Sequence, residues 1–590
     1  MRTCVLLASS LLALLLVAPA SAETVIRLDH PAPYDLQTQG FELAGGAEVE
    51  LEAIGLGPGR GGWWIERLWK HDDERNELDA YAWLLDAETR KPVWSMTYAD
   101  STALSGERRR AETTLRLEPG RYELYYFSGQ GWAARMDEVA EDGGDGDWWD
   151  RLHDRRREQE DLLEDLESCG VTLAFPGLAQ RDVRRFEVDG DLTGTLISAN
   201  RMGDSSFRVF GFRLERSSEL RVYGVIEHRE NDGDASDSAW IVNAATREVV
   251  FDASRTRTRR GGGGEKNRVI DSQIELPAGN YLLYAASDDS HSLDEFNAGA
   301  PWDPYNWGVT LLPGDRFDAA AFATFEAEVP PASIELTRVG SSRTLQQSFR
   351  LQDDARLWIH ALGECSDETF FDGGWIVDAA SGDVVWEMTV RNTRGGGGAA
   401  KNRMFDGIVE LPRGDYVLYY VTDGSHAWDD WNAATPFRPE DWGVTVRPVP
   451  GEQLAGLALL EQDALLEAGG VLVRLVGIGD DERRGERFSV EAPTQLRVYA
   501  LGEGESGTMF DYAYIVDSNG RHVWEMEYSD TRHAGGASKN RVVDERLRIE
   551  PGDYEVVYVS DGSHSAAGWN AGPPRDPVSW GVTVRRLADI

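Results

Sequence analysis

Lysine is nearly missing from this chain. Of 60 basic residues only five are lysines (Lys70, Lys91, Lys266, Lys401, Lys539), the other 55 being arginines. The last three lysines all stand in a Lys-Asn-Arg tripeptide of a repeat. Arbitrary drawing from so arginine-rich a pool would almost never give that result. A compact ammonium, rather than a planar guanidinium fork, is what these three places select. Cysteine is scarce too: three in all, of which Cys4 lies in the leader, leaving Cys169 and Cys365. That excludes a disulfide framework and leaves open one bond or two thiols.

Positive charge is also lacking overall. A formal net charge of −42 excludes nucleic acid and anionic membrane as natural partners, because both reward basic surfaces. After the leader, no apolar run approaches the roughly 18 to 20 residues of a membrane span. The leader itself begins Met1-Arg2-Thr3, continues through the apolar run Cys4 to Val17 and ends Ala18-Pro19-Ala20-Ser21-Ala22. Such a charged start, apolar middle and small-x-small end predict a signal peptide over 1–22. Cys4 lies too early to accept a lipid at that cut. The expected product is exported to periplasm, cell surface or medium, and its acidity suits solubility there. Its length of 590 residues predicts three to five domains.

What the chain does have is self-similarity. Four times an alternating apolar and polar segment recurs: Phe41 to Ala53, Phe212 to Val225, Phe349 to Leu362 and Phe488 to Leu501. Period-two alternation predicts a strand with one wet face. A hairpin follows, with turns such as Ala380-Ser381-Gly382 and third strands at Trp94, Phe251, Trp386 and Trp524. Then come a glycine-rich loop, Lys-Asn-Arg, a strand ending at Pro-x-Gly or Pro-Gly, a tyrosine strand, a long loop and Trp-Gly-Val-Thr. The fold class expected is all-β: four tandem antiparallel β-sandwich repeats, jelly-roll or immunoglobulin-like, strung as separate beads. Boundaries fall at 23–180, 181–314, 315–450 and 470–590, with a linker helix over 451–469. The first repeat lacks the lysine motif and carries an insertion near 133–168, whose dense Asp, Glu and Arg predict a solvated helix.

The strand with Phe-x-Val/Leu, the Ile-Val-Asp-x-x-x-Gly hairpin and the Leu-x-Pro-Gly-x-Tyr turn resemble the bacterial pre-peptidase C-terminal domain and related jelly-roll accessory modules of secreted proteins. The resemblance implies a non-catalytic accessory module. No catalytic domain accompanies the modules here, and the Lys-Asn-Arg and Asp-x-Ser-His elements are not part of that resemblance.

In the last three repeats one block has fixed spacing. Lysine to histidine is 25 residues (Lys266 to His291, Lys401 to His426, Lys539 to His564), histidine to asparagine is 6 (Asn297, Asn432, Asn570), and asparagine to tryptophan is 10 (Trp307, Trp442, Trp580). Asn267, Asn402 and Asn540 follow the lysines, then Arg268, Arg403 and Arg541. An aspartate lies five after each lysine (Asp271, Asp406, Asp544) and another three before each histidine (Asp288, Asp423, Asp561). Alternate connections of an antiparallel fold emerge at one pole, so these loops are expected to meet. The acidic loop after the first strand, with Glu230, Asp232 and Asp234, or Glu364, Asp367 and Asp372, or Glu503, Glu505 and Asp511, is expected to face the lysine.

Such a pole supports a structural tie, with lysine on an aspartate and histidine oriented by another. It equally supports a site for a glycan or another exported protein, with Trp431 and Trp569 as stacking faces. One histidine and no cysteine per repeat is too few for zinc. Calcium is the only cofactor the oxygens allow, against an adjacent lysine. Neither catalysis nor a bound cofactor is expected, because adjacent Ser and His on one strand point to opposite sides.

Overall fold

The computed structural model describes residues 24–57, 78–129, 164–228, 236–366, 369–461 and 470–587. The expected signal peptide and most of the expected helical insertion near 133–168 lie outside them. What is described is nearly all β, with 54% strand and 5% helix, in several antiparallel sheets. No helix among the described residues is long and apolar enough to cross a membrane.

The opening segment of each repeat is two strands rather than one. Phe207–Leu214 and Ser218–Glu227 lie in different sheets, as do Thr344–Leu351 and Ala355–Ser366, and Arg483–Val490 and Thr494–Glu505. A three-residue polar turn carries the chain from one sheet to the other while the inward parity continues. Alternation therefore runs through the crossing and hides it.

In repeat two, a back sheet runs in the order Ile197–Ala199, Gly308–Pro313, Ser218–Glu227, Asn267–Leu276, Arg259–Arg260. A front sheet runs Val249–Asp252, Ser238–Asn243, Gly279–Ala286, Phe207–Leu214, Phe322–Phe325. Repeats three and four build the same pair. In repeat one a bridge at Leu56 and Ala80 joins the two into a single 10-stranded sheet. Phe41, Phe212, Phe349 and Phe488 stack on Tyr122, Tyr281, Tyr416 and Tyr554 at 5.3 to 5.5 Å between the sheets. Each of these tyrosines donates its hydroxyl to the carbonyl four residues upstream, at 2.7 to 2.9 Å, which pins the Pro-x-Gly turn. Cys169 and Cys365 are both buried and lie in different repeats.

The segment expected as a linker helix over 451–469 instead contains the strand Leu457–Leu460, which pairs with Thr344–Leu351; residues 462–469 lie outside the description. Val183–Phe186 and Phe322–Phe325 do the same for the first two repeats. Each linker thus covers a sheet edge that would otherwise present unpaired backbone groups. In the last repeat, the corresponding edge strand Arg483–Val490 gains no such partner among the described residues. Its mostly exposed run of Arg483, Arg484, Glu486 and Arg487 discourages pairing by charge.

Separate beads are not what forms. Repeats one and two share one continuous core, and smaller apolar clusters span repeats two and three and repeats three and four. On the outer front face, Trp83 stacks on Tyr125 (5.0 Å), Trp240 on Tyr284 (5.1 Å) and Trp375 on Tyr419 (5.5 Å). The long loop of the following repeat covers each pair. Tyr81 and Trp83 donate to the carbonyls of Ala300 and Trp302, Phe437 stacks on Trp240, and Trp375 donates to the Arg575 carbonyl.

Arginines at a left-handed turn position complete the first two junctions. Arg90 (φ 54°) reaches Asp303 of repeat two and Glu123 of its own repeat, and Arg247 (φ 60°) reaches Asp406 of repeat three. All five of these side chains are at most 8% exposed. Removing one partner of a buried ion pair strands the other in low dielectric, at a cost of about 3 to 5 kcal/mol. Arg90→Met is therefore expected to lower the unfolding free energy of the first two repeats by about that amount. Denaturant unfolding followed by tryptophan emission checks it, and an unchanged midpoint would deny the ion pair a role in docking.

Candidate functional site

Lys-Asn-Arg opens the back-sheet strands Asn267–Leu276, Asn402–Leu411 and Asn540–Ile549. In register, Asn267, Asn402 and Asn540 face Glu227, Glu364 and Glu503 on the neighbouring strand. The three asparagines have no exposed surface. Each donates its amide to two backbone carbonyls. One belongs to the glycine loop (Gly262, Gly397, Gly535, all 2.8 Å) and the other to the long loop (Gly299, Ala434, Gly572, 2.8 to 3.0 Å).

With both amide hydrogens spent, the asparagine oxygen can only accept. It faces histidine Nε2 at 2.5 to 2.6 Å, which makes His291, His426 and His564 Nε2–H tautomers. Burial and the nearby Lys401 and Lys539 push His426 and His564 down to about 4, so both rings are neutral. All three histidines sit at positive φ (52° to 57°), a strained conformation for a side-chain-bearing residue that the surrounding contacts hold in place.

The glycine loop approaches the long loop too closely for any side chain. A Cβ at Gly536 would lie 1.8 Å from the Pro573 carbonyl oxygen, and one at Gly398 would lie 2.0 Å from that of Thr435. These contacts explain why glycine recurs there.

The lysines pair with glutamate, not with the expected aspartate. Lys266, Lys401 and Lys539 lie 3.2, 2.9 and 2.8 Å from Glu227, Glu364 and Glu503. Each also donates to the long-loop asparagine, Asn297, Asn432 or Asn570. Histidine is oriented by asparagine rather than by an aspartate. Asp271, Asp406 and Asp544 are not at the pole at all. They lie outward on the back sheet, where Asp271 binds Arg221, Asp544 binds Arg497 and Asp406 meets Arg247 of the preceding repeat. The shared spacing came from two demands on one strand: the pole at its start, the docking face along it. Arg268, Arg403 and Arg541 turn back to the carbonyl and hydroxyl oxygens of Thr258, Thr393 and Thr531.

Beneath the lysine lies an acidic trio, two of whose members in repeats three and four come from the acidic loop expected to face the lysine. Glu364, Asp372 and Asp423, and likewise Glu503, Asp511 and Asp561, have ligand oxygens within 4.8 Å of one another. In repeat two the corresponding residues are Glu227, Asp237 and Asp288, whereas Glu230, Asp232 and Asp234 lie outside the described residues. Asp237, Asp372 and Asp511 accept the backbone N–H of Asp288, Asp423 and Asp561 at 2.7 to 3.1 Å. Asp288, Asp423 and Asp561 then cap Ser290, Ser425 and Ser563. Burial, reinforced by the neighbouring carboxylates, pushes Asp372 up to about 8, Asp511 to about 7 and Asp288 to about 6.

The residues expected as stacking faces are half-buried. Trp431 packs edge-on against His426 and Trp442 (both 5.0 Å), and Trp569 packs the same way against His564 and Trp580 (5.1 and 5.0 Å). Phe296 fills this place in repeat two. Nothing in these contacts pairs a serine nucleophile with the histidine. Comparison with protein-family models and with curated proteins returns no match.

The two kinds of shifted group act in opposite directions. Asp372 and Asp511 hold protons in the folded chain at pH values where the unfolded chain has lost them, so their contribution to stability falls as pH rises from about 4 towards 8 and 7. His426 and His564 oppose this between about 6.5 and 4, where the unfolded state binds the extra proton. Acidification from pH 8.5 to 6.5 is therefore expected to stabilise the chain. Asp511→Asn, which keeps the shape and removes the titration, is expected to flatten the fourth repeat's share. Melting curves across that pH range would refute the assignment if wild type and variant ran parallel.

Proposed function

We propose that this is an exported, non-catalytic scaffold of four tandem β-sandwich repeats of jelly-roll type, and that the Lys-Asn-Arg pole braces the loop by which each repeat docks onto the one before it. The observation that carries this reading is where the asparagine bonds lead. Asn267 holds the Gly299 carbonyl, and the next carbonyls along, Ala300 and Trp302, take the Tyr81 and Trp83 donors of repeat one. Asn402 holds Ala434 three residues before Phe437, and Asn540 holds Gly572 three residues before Arg575. Repeat one docks onto no earlier repeat of this chain. It is also the repeat without the motif.

Long polar loops need such a brace, because each buried polar group left unpaired costs about 1 to 3 kcal/mol. The resemblance to accessory modules of secreted proteins agrees with a non-catalytic role. A carbohydrate-binding reading would rest on the remaining exposed surface of Trp431 and Trp569, which are half-buried against His426 and His564.

A second reading, calcium stabilisation, is favoured by one specific feature. Glu364 and Glu503 each have one buried carboxylate oxygen with no hydrogen-bond partner beside the other two acids of the trio. If calcium is held there, added calcium raises the melting temperature of the wild type and not of the double variant Asp372→Asn with Asp511→Asn, which alters both trios.

Lys539→Met keeps the stem and removes the charge. It leaves Glu503, whose side chain is 7% exposed, without its cation. The expected loss is about 3 kcal/mol, with separate unfolding of the fourth repeat, and Glu503→Gln added to it is expected to recover most of that loss. Calorimetry of the full chain reads both effects. An unchanged single transition in Lys539→Met would contradict a bracing role.

A further inference from the structure

The junction between repeats three and four departs from the other two. At the turn position where Arg90 and Arg247 reach across, repeat three has Gly382, in the same left-handed conformation (φ 74°) and with the same backbone bond back to the last strand residue, Asp378. No side chain fills the junction from that side. An open cleft of about 730 Å³, part of it continuous with solvent, lies there between the two repeats.

The wall supplied by repeat four is basic. Arg474, Arg497 and Arg585 all line the cleft. Register identifies what stands at the same places elsewhere. The position of Arg474 is Ser198 in repeat two and Glu335 in repeat three, and that of Arg585 is Leu312 and Arg447. Only this junction combines two cations there with a missing arm opposite.

Arg497 is fully engaged with Asp544 and with the carbonyls of Ala380 and Ser381, so it forms fixed wall. Arg585 is different. It is half-buried, and among the described residues it has no carboxylate within ion-pair distance; its nearest charged influence is Arg497, which together with burial lowers its affinity for its own proton. Gln346 brings a buried side-chain oxygen with no hydrogen-bond partner into the same cleft. Asp378 and Asp576 line it as well.

We infer that this cleft binds a small hydroxylated monocarboxylate, of the chemical class of a sugar acid. A guanidinium without a partner matches one carboxylate in bidentate geometry. The Gln346 oxygen and Asp378 are acceptors, which suit hydroxyl donors, whereas both Asp576 oxygens already accept from Tyr419 and Tyr499. The two aspartates repel a multiply charged phosphate more than a single carboxylate. The apolar patches from Val377, Val417 and Val578 accommodate the ring carbons.

The test is calorimetric titration of the full chain with D-glucuronate, with D-glucose and inorganic phosphate as comparison ligands. Wild type is expected to bind glucuronate and neither comparison ligand. Arg585→Leu, which copies Leu312, is expected to weaken binding at least about tenfold with the melting temperature retained. Gly382→Arg restores the arm of the first two junctions and is expected to abolish binding by filling the cleft. The proposal is overturned if wild type shows no glucuronate binding, if phosphate or glucose binds as well as glucuronate, or if a folded Arg585→Leu or Gly382→Arg chain binds glucuronate like wild type.

Discussion

Asn267, Asn402 and Asn540 each satisfy two loop carbonyls and one histidine with a single buried amide. That three-way bond is the constraint on which the rest of the pole hangs. Were it absent, the glycine-loop carbonyls of Gly262, Gly397 and Gly535 would lose their amide donor, the long-loop carbonyls would keep the backbone N–H of Gly264, Ala399 or Ala537 alone, and the neutral histidine would have no acceptor for its Nε2–H. The lysine then closes the outside of the same network by joining the glutamate of one strand to the asparagine of the long loop. Its selection over arginine follows from the space available. A compact ammonium fits between a carboxylate and an amide oxygen, and a planar fork would ask for partners in a plane that the pole does not offer.

The same network bears on how the repeats meet, since the loop it fixes continues directly into the docking segment. Each junction combines a stacked Trp–Tyr pair, a covering loop and a polar contact, but the polar contact is built differently each time. Arg90 and Arg247 point forward in the first two, whereas in the third Arg497 points back and Tyr419 and Tyr499 donate to Asp576. Among the described residues, the fourth repeat has no Trp–Tyr pair on its front face. Val557 stands where Tyr125, Tyr284 and Tyr419 stand, and Tyr514 stacks instead on His522 at 4.7 Å and accepts from Arg483.

Much of this was legible in the sequence, and the failures have physical causes. Period-two alternation and turn residues pointed to strands, and fixed spacing pointed to the pole with Glu364, Asp372, Glu503 and Asp511 facing the lysine. In repeat two the expected Glu230, Asp232 and Asp234 lie outside the described residues. The signal that singles out Glu227 is its register opposite Asn267, which requires the strand pairing. Asp406 and Asp544 kept the spacing but serve the docking face, and Asp271 pairs with Arg221 of its own repeat, so spacing alone could not separate these roles. The leucines of 454–460 are spaced as a helix would have them, yet an uncovered sheet edge draws Leu457–Leu460 into a strand. Docking itself left no trace in period or spacing, since the tryptophans that carry it read equally well as interior residues.

The most direct measurement is a double-mutant cycle on Asn540→Ala and His564→Ala, with unfolding free energies of the full chain. If the pole is one braced network, each single variant is strongly destabilised and the pair couples by about 1 to 3 kcal/mol. Additive losses would show that the asparagine and histidine act independently, and the pole would then be no brace.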